Sequence, residues 1–247
     1  MLGRVEKYLL DKIQRDGAIH ITLIDPEKVS LKSASRIAQE AEVSETAAIM
    51  VGGSTSVSAS DLDKAVKAVK KAVRIPVILF PNNITGISRH ADAILFMSLL
   101  NSLDPYFITG VQALGAPLVK KYGLEAIPLG YVIVGEGAAV GVVGRAVPIP
   151  YEKPELAAAH ALAAQYLGMR FVYLEAGSGA TRPVPNEMIR IVKSTIEVPV
   201  VVGGGIKTGE QAKRAVEAGA DVIVTGTVTE GSKVKDKVRE LVKSIKS

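Results

Sequence analysis

Eight short apolar runs, each closed by Gly, Pro, Ser or Asp, recur along the chain and limit what it can fold into. They are AIHITLID (18–25), AAIMVGGS (47–54), PVILFP (76–81), AILFMSLLNS (93–102), IPLGYVIVG (127–135), RFVYLEAG (170–177), VPVVVGGGI (198–206) and ADVIVTGT (220–227). Between most of them lie stretches with helical spacing, among them LKSASRIAQEAEV, ASDLDKAVKAVKKAV, GEQAKRAVEAGA and SKVKDKVRELVKSI. Strands that alternate with helices form βα units around a parallel sheet. Apolar residues on both faces of each run fit strands buried on two sides. Eight such units in 247 residues predict one closed (βα)8 barrel, a TIM barrel, spanning residues 1–247 as a single domain. An open doubly wound sheet is the other α/β solution, but it favours a GxGxxG turn after its first strand, and here that strand ends in Asp25-Pro26.

Two connections break the pattern. NNITGISRHAD, between the third and fourth runs, is too short for a full crossover helix, so a short turn is expected in place of the third helix. GEGAAVGVVGRAVPIPYEKP (135–154) is long and rich in Gly and Pro, and reads either as a surface loop or as a lid over the catalytic face.

Composition excludes several functions. The chain has no cysteine, which removes disulfides, thiolate nucleophiles and Cys-ligated metals. Its net charge of +5 owes much to C-terminal lysines interleaved with acids, a solvated helix face without the aromatics of a nucleic-acid surface. No apolar run is long and uninterrupted enough to span a membrane, and a soluble cytoplasmic protein is expected. His20, His90 and His160 share no metal-ligand spacing and read as structural.

The chemistry of such a barrel lies at the carboxyl ends of its strands. Gly203-Gly204-Gly205 ends the seventh and Gly226-Thr227 the eighth. Glycines there let backbone N–H groups approach an anion, and the next helix N-terminus favours it, so a phosphate site is expected. In the sixth strand, Tyr173-Leu174-Glu175-Ala176-Gly177-Ser178-Gly179, the period of two puts Tyr173 and Glu175 on one face. Asp25 and Ser54, at the ends of adjacent strands, offer hard oxygen atoms suited to Mg²⁺, although Asp25 also suits a turn. Lys28 and Lys207 stand just beyond strand ends, where they either touch phosphate or face solvent.

Together HITLIDPEK, MVGGST, YLEAGSGA, VVGGGIKTGEQA and VIVTGT resemble the geranylgeranylglyceryl phosphate synthase family, in order along all eight strands. The resemblance implies a modified barrel without its third helix. It implies transfer of the geranylgeranyl group from its diphosphate to the C3 hydroxyl of sn-glycerol 1-phosphate, with Mg²⁺ as cofactor. It assigns Asp25 and Ser54 to the metal, and Tyr173 to Gly179, Gly204, Gly205, Gly226 and Thr227 to glycerol phosphate. Leu23 stands where shorter bacterial members carry Lys, so the chain resembles the longer archaeal branch, which forms dimers or hexamers. Under this reading Glu175 is the general base, and apolar strand ends including Met50 and Met97 line a dry trough for the prenyl chain. Two other functions remain open at this point: an isomerase or aldolase acting on a sugar phosphate, and a non-catalytic binder of prenyl diphosphate or phospholipid. The absence of Lys from the eight apolar runs counts against a Schiff-base aldolase.

Overall fold

A computed structural model describes residues 2–53, 58–226 and 234–246. Eight parallel strands close into a barrel in sequence order: β1 (Ile19–Ile24), β2 (Ala48–Gly52), β3 (Val77–Phe80), β4 (Ala93–Leu99), β5 (Glu125–Ile133), β6 (Phe171–Glu175), β7 (Val200–Gly203) and β8 (Val222–Thr225). β8 pairs back onto β1 through Ile19 with Val222 and Thr22 with Thr225, leaving no sheet edge. Each anticipated apolar run holds one strand.

Alternation along the strands builds two layers. Ile21, Met50, Ile78, Leu95, Leu129, Phe171 and Val201 fill the barrel, whereas Ile24, Ile49, Val51 and Leu79 pack outward. Their outward partners include α2 (Leu31–Val43) and α3 (Ala59–Ala72), which bury Ile37, Ala38, Val66 and Val69. Ser30 and Ser58 cap these helices by accepting the N–H groups of Ser33 and Asp61.

The amino end of the barrel is stoppered by α1 (Arg4–Asp16), whose Val5 and Leu9 join the inner core. Glu125, opening β5, accepts the N–H groups of Val5 and Glu6 at 2.8 and 2.7 Å, so a carboxylate meets the positive end of that helix. Buried Glu6 is in turn paired with Arg170.

Two brackets hold the lower rim. Asp92 accepts the N–H of Val77 and the ammonium of Lys70, while Glu42 accepts the N–H groups of Arg74 and Ile75. Asp221 does the same for Val200 and Lys193, and Gln165 for Glu197 and Val198.

Between β3 and β4 a single 3-10 turn (Ile84–Gly86) stands where a barrel helix would run, as the short connection predicted. After β4 a π-helical turn (Tyr106–Gly110) leads into α4 (Val111–Tyr122), pinned by Gln112, whose amide donates to the carbonyls of Met97 and Phe107. The long 135–154 segment contains α5 (Ala138–Val143) and is tied to the strand ends by bridges Val134–Ile149 and Ser102–Ala146. α6 (Pro154–Tyr166), α7 (Asn186–Thr195), α8 (Gly209–Glu217) and α9 (Val234–Ile245) complete the outer layer.

His20 is buried on the outer face of β1, its ring nitrogens 3.0 Å from Thr46 Oγ1 and 2.8 Å from Thr225 Oγ1. Burial pushes its pKa down to about 3, so it is a neutral packing group. His160 is spent on the Leu156 carbonyl. No helix among the described residues is long and apolar enough to cross a membrane.

Candidate active site

The carboxyl ends of the strands enclose two adjoining spaces. The first is a polar cavity, open to solvent, with Asp25, Glu175, Ser178, Gly204, Gly205 and Gly226 in its wall. The second is an apolar groove running outward between β4, α4 and the 3-10 turn. They meet at Gly53, Phe80, Tyr131 and Val140, which line both.

Glu175 ends β6 pointing inward, as does Tyr173 two residues before it. It is 6% exposed and holds three hydrogen bonds. Gly177 N–H donates to Oε1 at 2.7 Å, Tyr131 donates to Oε2 at 3.3 Å, and the Tyr173 hydroxyl donates as well. Burial pushes its pKa above the ordinary carboxylate value, and the three donors pull part of the way back. Both phenols are held well above their usual range, first by burial and next by the neighbouring carboxylate, so they stay protonated and donate. Tyr131, Tyr173 and Phe80 pack as an aromatic cluster, with edge contacts at 5.1 and 5.6 Å and a stacked contact at 5.8 Å.

The glycines beside them are required by this crowding. Any Cβ on Gly204, at φ +80°, would strike Glu175 and the Gly177 backbone, and one on Gly203 would strike the Tyr173 hydroxyl. Beyond them, α8 starts with a capping box in which Thr208 and Gln211 exchange side-chain and backbone bonds. A Cβ on Gly226 would meet Leu23 only at ordinary contact distance.

Within the Tyr173–Gly179 run the side chains divide. Tyr173, Glu175, Ser178 and Gly179 line the cavity. Leu174 and Ala176 point the other way, into the packing between strands and helices, and the Gly177 N–H is taken by Glu175. Asp25 lines the cavity with its carboxyl carbon 2.6 Å from where a Cβ of Gly53 would lie, so the glycine makes room for it. Ser54 and Thr227 lie outside the described residues. Met97 lines the groove, whereas Met50 is sealed in the barrel core.

Sequence reasoning passed over Tyr131, which joins cavity to groove. It lies beside Tyr173 in the β5–β6 register, a pairing that no local sequence signal reveals. Reasoning from sequence also left the 135–154 segment undecided. Val140 of α5 borders both spaces, and a Cβ on Gly177 would meet Ala138, so the segment roofs the strand ends.

A glycine-lined cavity at β7 and β8, a buried carboxylate and a contiguous apolar groove define the class: a phosphate-type (βα)8 barrel adapted to a ligand with a long apolar part. The chain belongs to the PcrB family, which it matches over residues 11–245. It is 54% identical over 242 residues to the geranylgeranylglyceryl phosphate synthase of Thermofilum pendens, covering 98% of this chain and 93% of that protein. Identity to the synthase of Pyrococcus horikoshii is 55% over 246 residues, covering 100% and 96%. The crystal structure of (S)-3-O-geranylgeranylglyceryl phosphate synthase from Thermoplasma acidophilum, in complex with its substrate sn-glycerol-1-phosphate, superposes with a TM-score of 0.95. That chain is 44% identical, with coverage of 100% and 99%.

Proposed function

We propose that this protein is a prenyltransferase that joins the geranylgeranyl group of geranylgeranyl diphosphate to the C3 hydroxyl of sn-glycerol 1-phosphate, the first ether bond of archaeal membrane lipids. The observation that carries this reading is the position of Glu175, a buried carboxylate at the point where a polar, glycine-lined cavity opens into an apolar groove. The names of the curated relatives and the ligand of the Thermoplasma structure support it.

In this reading the acceptor's phosphate lies on the N–H groups around Gly204, Gly205 and Gly226, and Thr227 is a further expected contact. Its hydroxyls face Glu175, Tyr173 and Ser178. The prenyl chain lies in the groove along Met97, Leu99 and Phe107, away from water that would capture an allylic cation. The C3 oxygen attacks C1 of the donor, the C1–O bond breaks, and its electron pair leaves with diphosphate. The proton of the C3 hydroxyl passes to Glu175, whose raised pKa makes it a stronger base than an exposed glutamate. Phe80 and Tyr131 line the junction of cavity and groove, where aromatic rings would stabilise partial positive charge on the reacting carbon.

Magnesium is part of this proposal. Asp25, made accessible by Gly53, suits a hard cation that keeps most of its waters and takes further ligands from substrate phosphate; Ser54 is the second expected ligand. When bound, the ion offsets the charge that develops on the departing diphosphate. We place the enzyme in the cytoplasm and expect a dimer or hexamer.

The test is a product assay. Purified protein, geranylgeranyl diphosphate and radiolabelled sn-glycerol 1-phosphate should give butanol-extractable label only with Mg²⁺, and none with sn-glycerol 3-phosphate. Folded protein giving no label with any prenyl donor sinks the reading.

A further inference from the structure

The ring of His20 packs outside the barrel, yet one of its nitrogens reaches the end of the strand that leads to the acceptor's phosphate; the role of this contact rests on the proposed function. In the β1–β8 register His20 pairs with Ile223, but its Nε2 lies 2.8 Å from the hydroxyl of Thr225, two residues nearer the cavity. Thr225 ends β8 and lines the cavity together with the next residue, Gly226. Backbone pairing of β8 runs out here, at Val224 against β7 and at Thr225 against β1. The His20–Thr225 bond is thus a side-chain tether placed where the ladder stops, one residue before Gly226.

The direction of each bond follows from the groups around the ring. The Thr46 hydroxyl donates to the His20 carbonyl at 3.0 Å, so its oxygen is left to accept from Nδ1, 3.0 Å away. Nδ1 therefore carries the proton, Nε2 accepts, and the Thr225 hydroxyl donates to it. Thr46, just ahead of β2, is fixed again by Thr22, whose hydroxyl donates to it at 3.2 Å. All four side chains are buried, so water does not stand in for a lost partner. We propose that His20 is a positioning residue for the acceptor: through Thr225 it fixes the carboxyl end of β8, and with it the place of Gly226 in the phosphate cradle. The groove for the prenyl chain is built mainly by β3, β4 and α4, which this tether does not touch.

The test separates the two ends of the ring. In His20→Asn the amide takes the place of Nδ1 and keeps Thr46 but falls short of Thr225; in His20→Gln it reaches the place of Nε2 and keeps Thr225. Calorimetric titration of sn-glycerol 1-phosphate into the parent, both variants, Thr225→Val and His20→Asn/Thr225→Val is set beside thermal unfolding and initial rates. His20→Asn and Thr225→Val should each weaken sn-glycerol 1-phosphate about tenfold, the double variant no further, and His20→Gln less than about threefold. At saturating acceptor, kcat and the KM for geranylgeranyl diphosphate should stay within about threefold of the parent's in every variant. Affinity that simply follows melting temperature, with His20→Gln as weak as His20→Asn, reduces the ring to packing and overturns the assignment. Undiminished binding in His20→Asn overturns it too, as does a parent that binds no sn-glycerol 1-phosphate. Proteins that show the expected order of affinities but form no prenyl ether defeat the functional reading and leave the assignment of His20 standing.

Discussion

Glu175 is held by three donors in a site that burial makes unfavourable for charge, and this tension sets what its replacement should do. Glu175→Gln keeps an acceptor for Gly177 N–H but no longer takes a proton, so kcat should fall on the order of a hundredfold or more while sn-glycerol 1-phosphate still binds. The pKa in the folded protein lies above that in the unfolded chain, so ionisation costs stability as pH rises through the folded value. Glu175→Gln should therefore melt no lower than the parent at pH 8, which thermal unfolding checks. Activity should rise with pH as Glu175 loses its proton. Tyr131→Phe removes one donor that favours the ionised form, so the acid limb of kcat against pH should move to higher pH. A limb that stays in place would show that Tyr131 does not tune the base. Glu175 was legible in the sequence because the period of two places it with Tyr173. Tyr131 was not, because nothing local in IPLGYVIVG shows that its hydroxyl meets β6.

At the scale of elements, the absence of the third helix makes the groove. Ile84, Ile87, Ile94 and Phe96, which a crossover helix would cover, line it instead. The face of α4 that borders it carries Val111, Gly115 and Val119, one turn apart, so Gly115 marks mid-depth. A Cβ there comes 3.1 Å from the end of Ile87, a flexible neighbour that can yield. Gly115→Leu should block the groove part-way, costing most activity with geranylgeranyl diphosphate and far less with geranyl diphosphate. Equal losses with both donors would place the chain elsewhere. The missing helix was readable from the length of the 82–92 connection. The π-helical turn (YFITG) and α5 (AAVGVV) were not, because runs of five and six residues are too short to carry an amphipathic period, and α5 is held by contacts with strand ends far away in sequence.

At the scale of the molecule, closure rests on strand starts as well as on the core. Asp92 and Asp221 each satisfy the first N–H of the preceding strand and an incoming lysine. Asp92→Ala and Asp221→Ala should each cost about 1–3 kcal/mol, the penalty for a buried donor left without a partner. Both sites are at the rim opposite the cavity, so kcat at room temperature should stay near the parent's. Urea unfolding beside the product assay tests this, and a fall in kcat matching the fall in stability would overturn it.

The paired brackets also record how such a barrel is composed. Glu42 and Gln165, Lys70 and Lys193, and Val77 and Val200 are each 123 positions apart, whereas Asp92 and Asp221 are 129 apart. From β2 to β3 and from β6 to β7 the two half-barrels thus run in register; the register shifts ahead of β2, where the second half carries the longer 135–154 segment, and by six residues between β3 and β4. In the second half that interval holds α8 behind the phosphate cradle; in the first it holds the 3-10 turn and the oily groove. One half carries the site for an anion, and the other, with no helix at that interval, has room for the hydrocarbon to be joined to it.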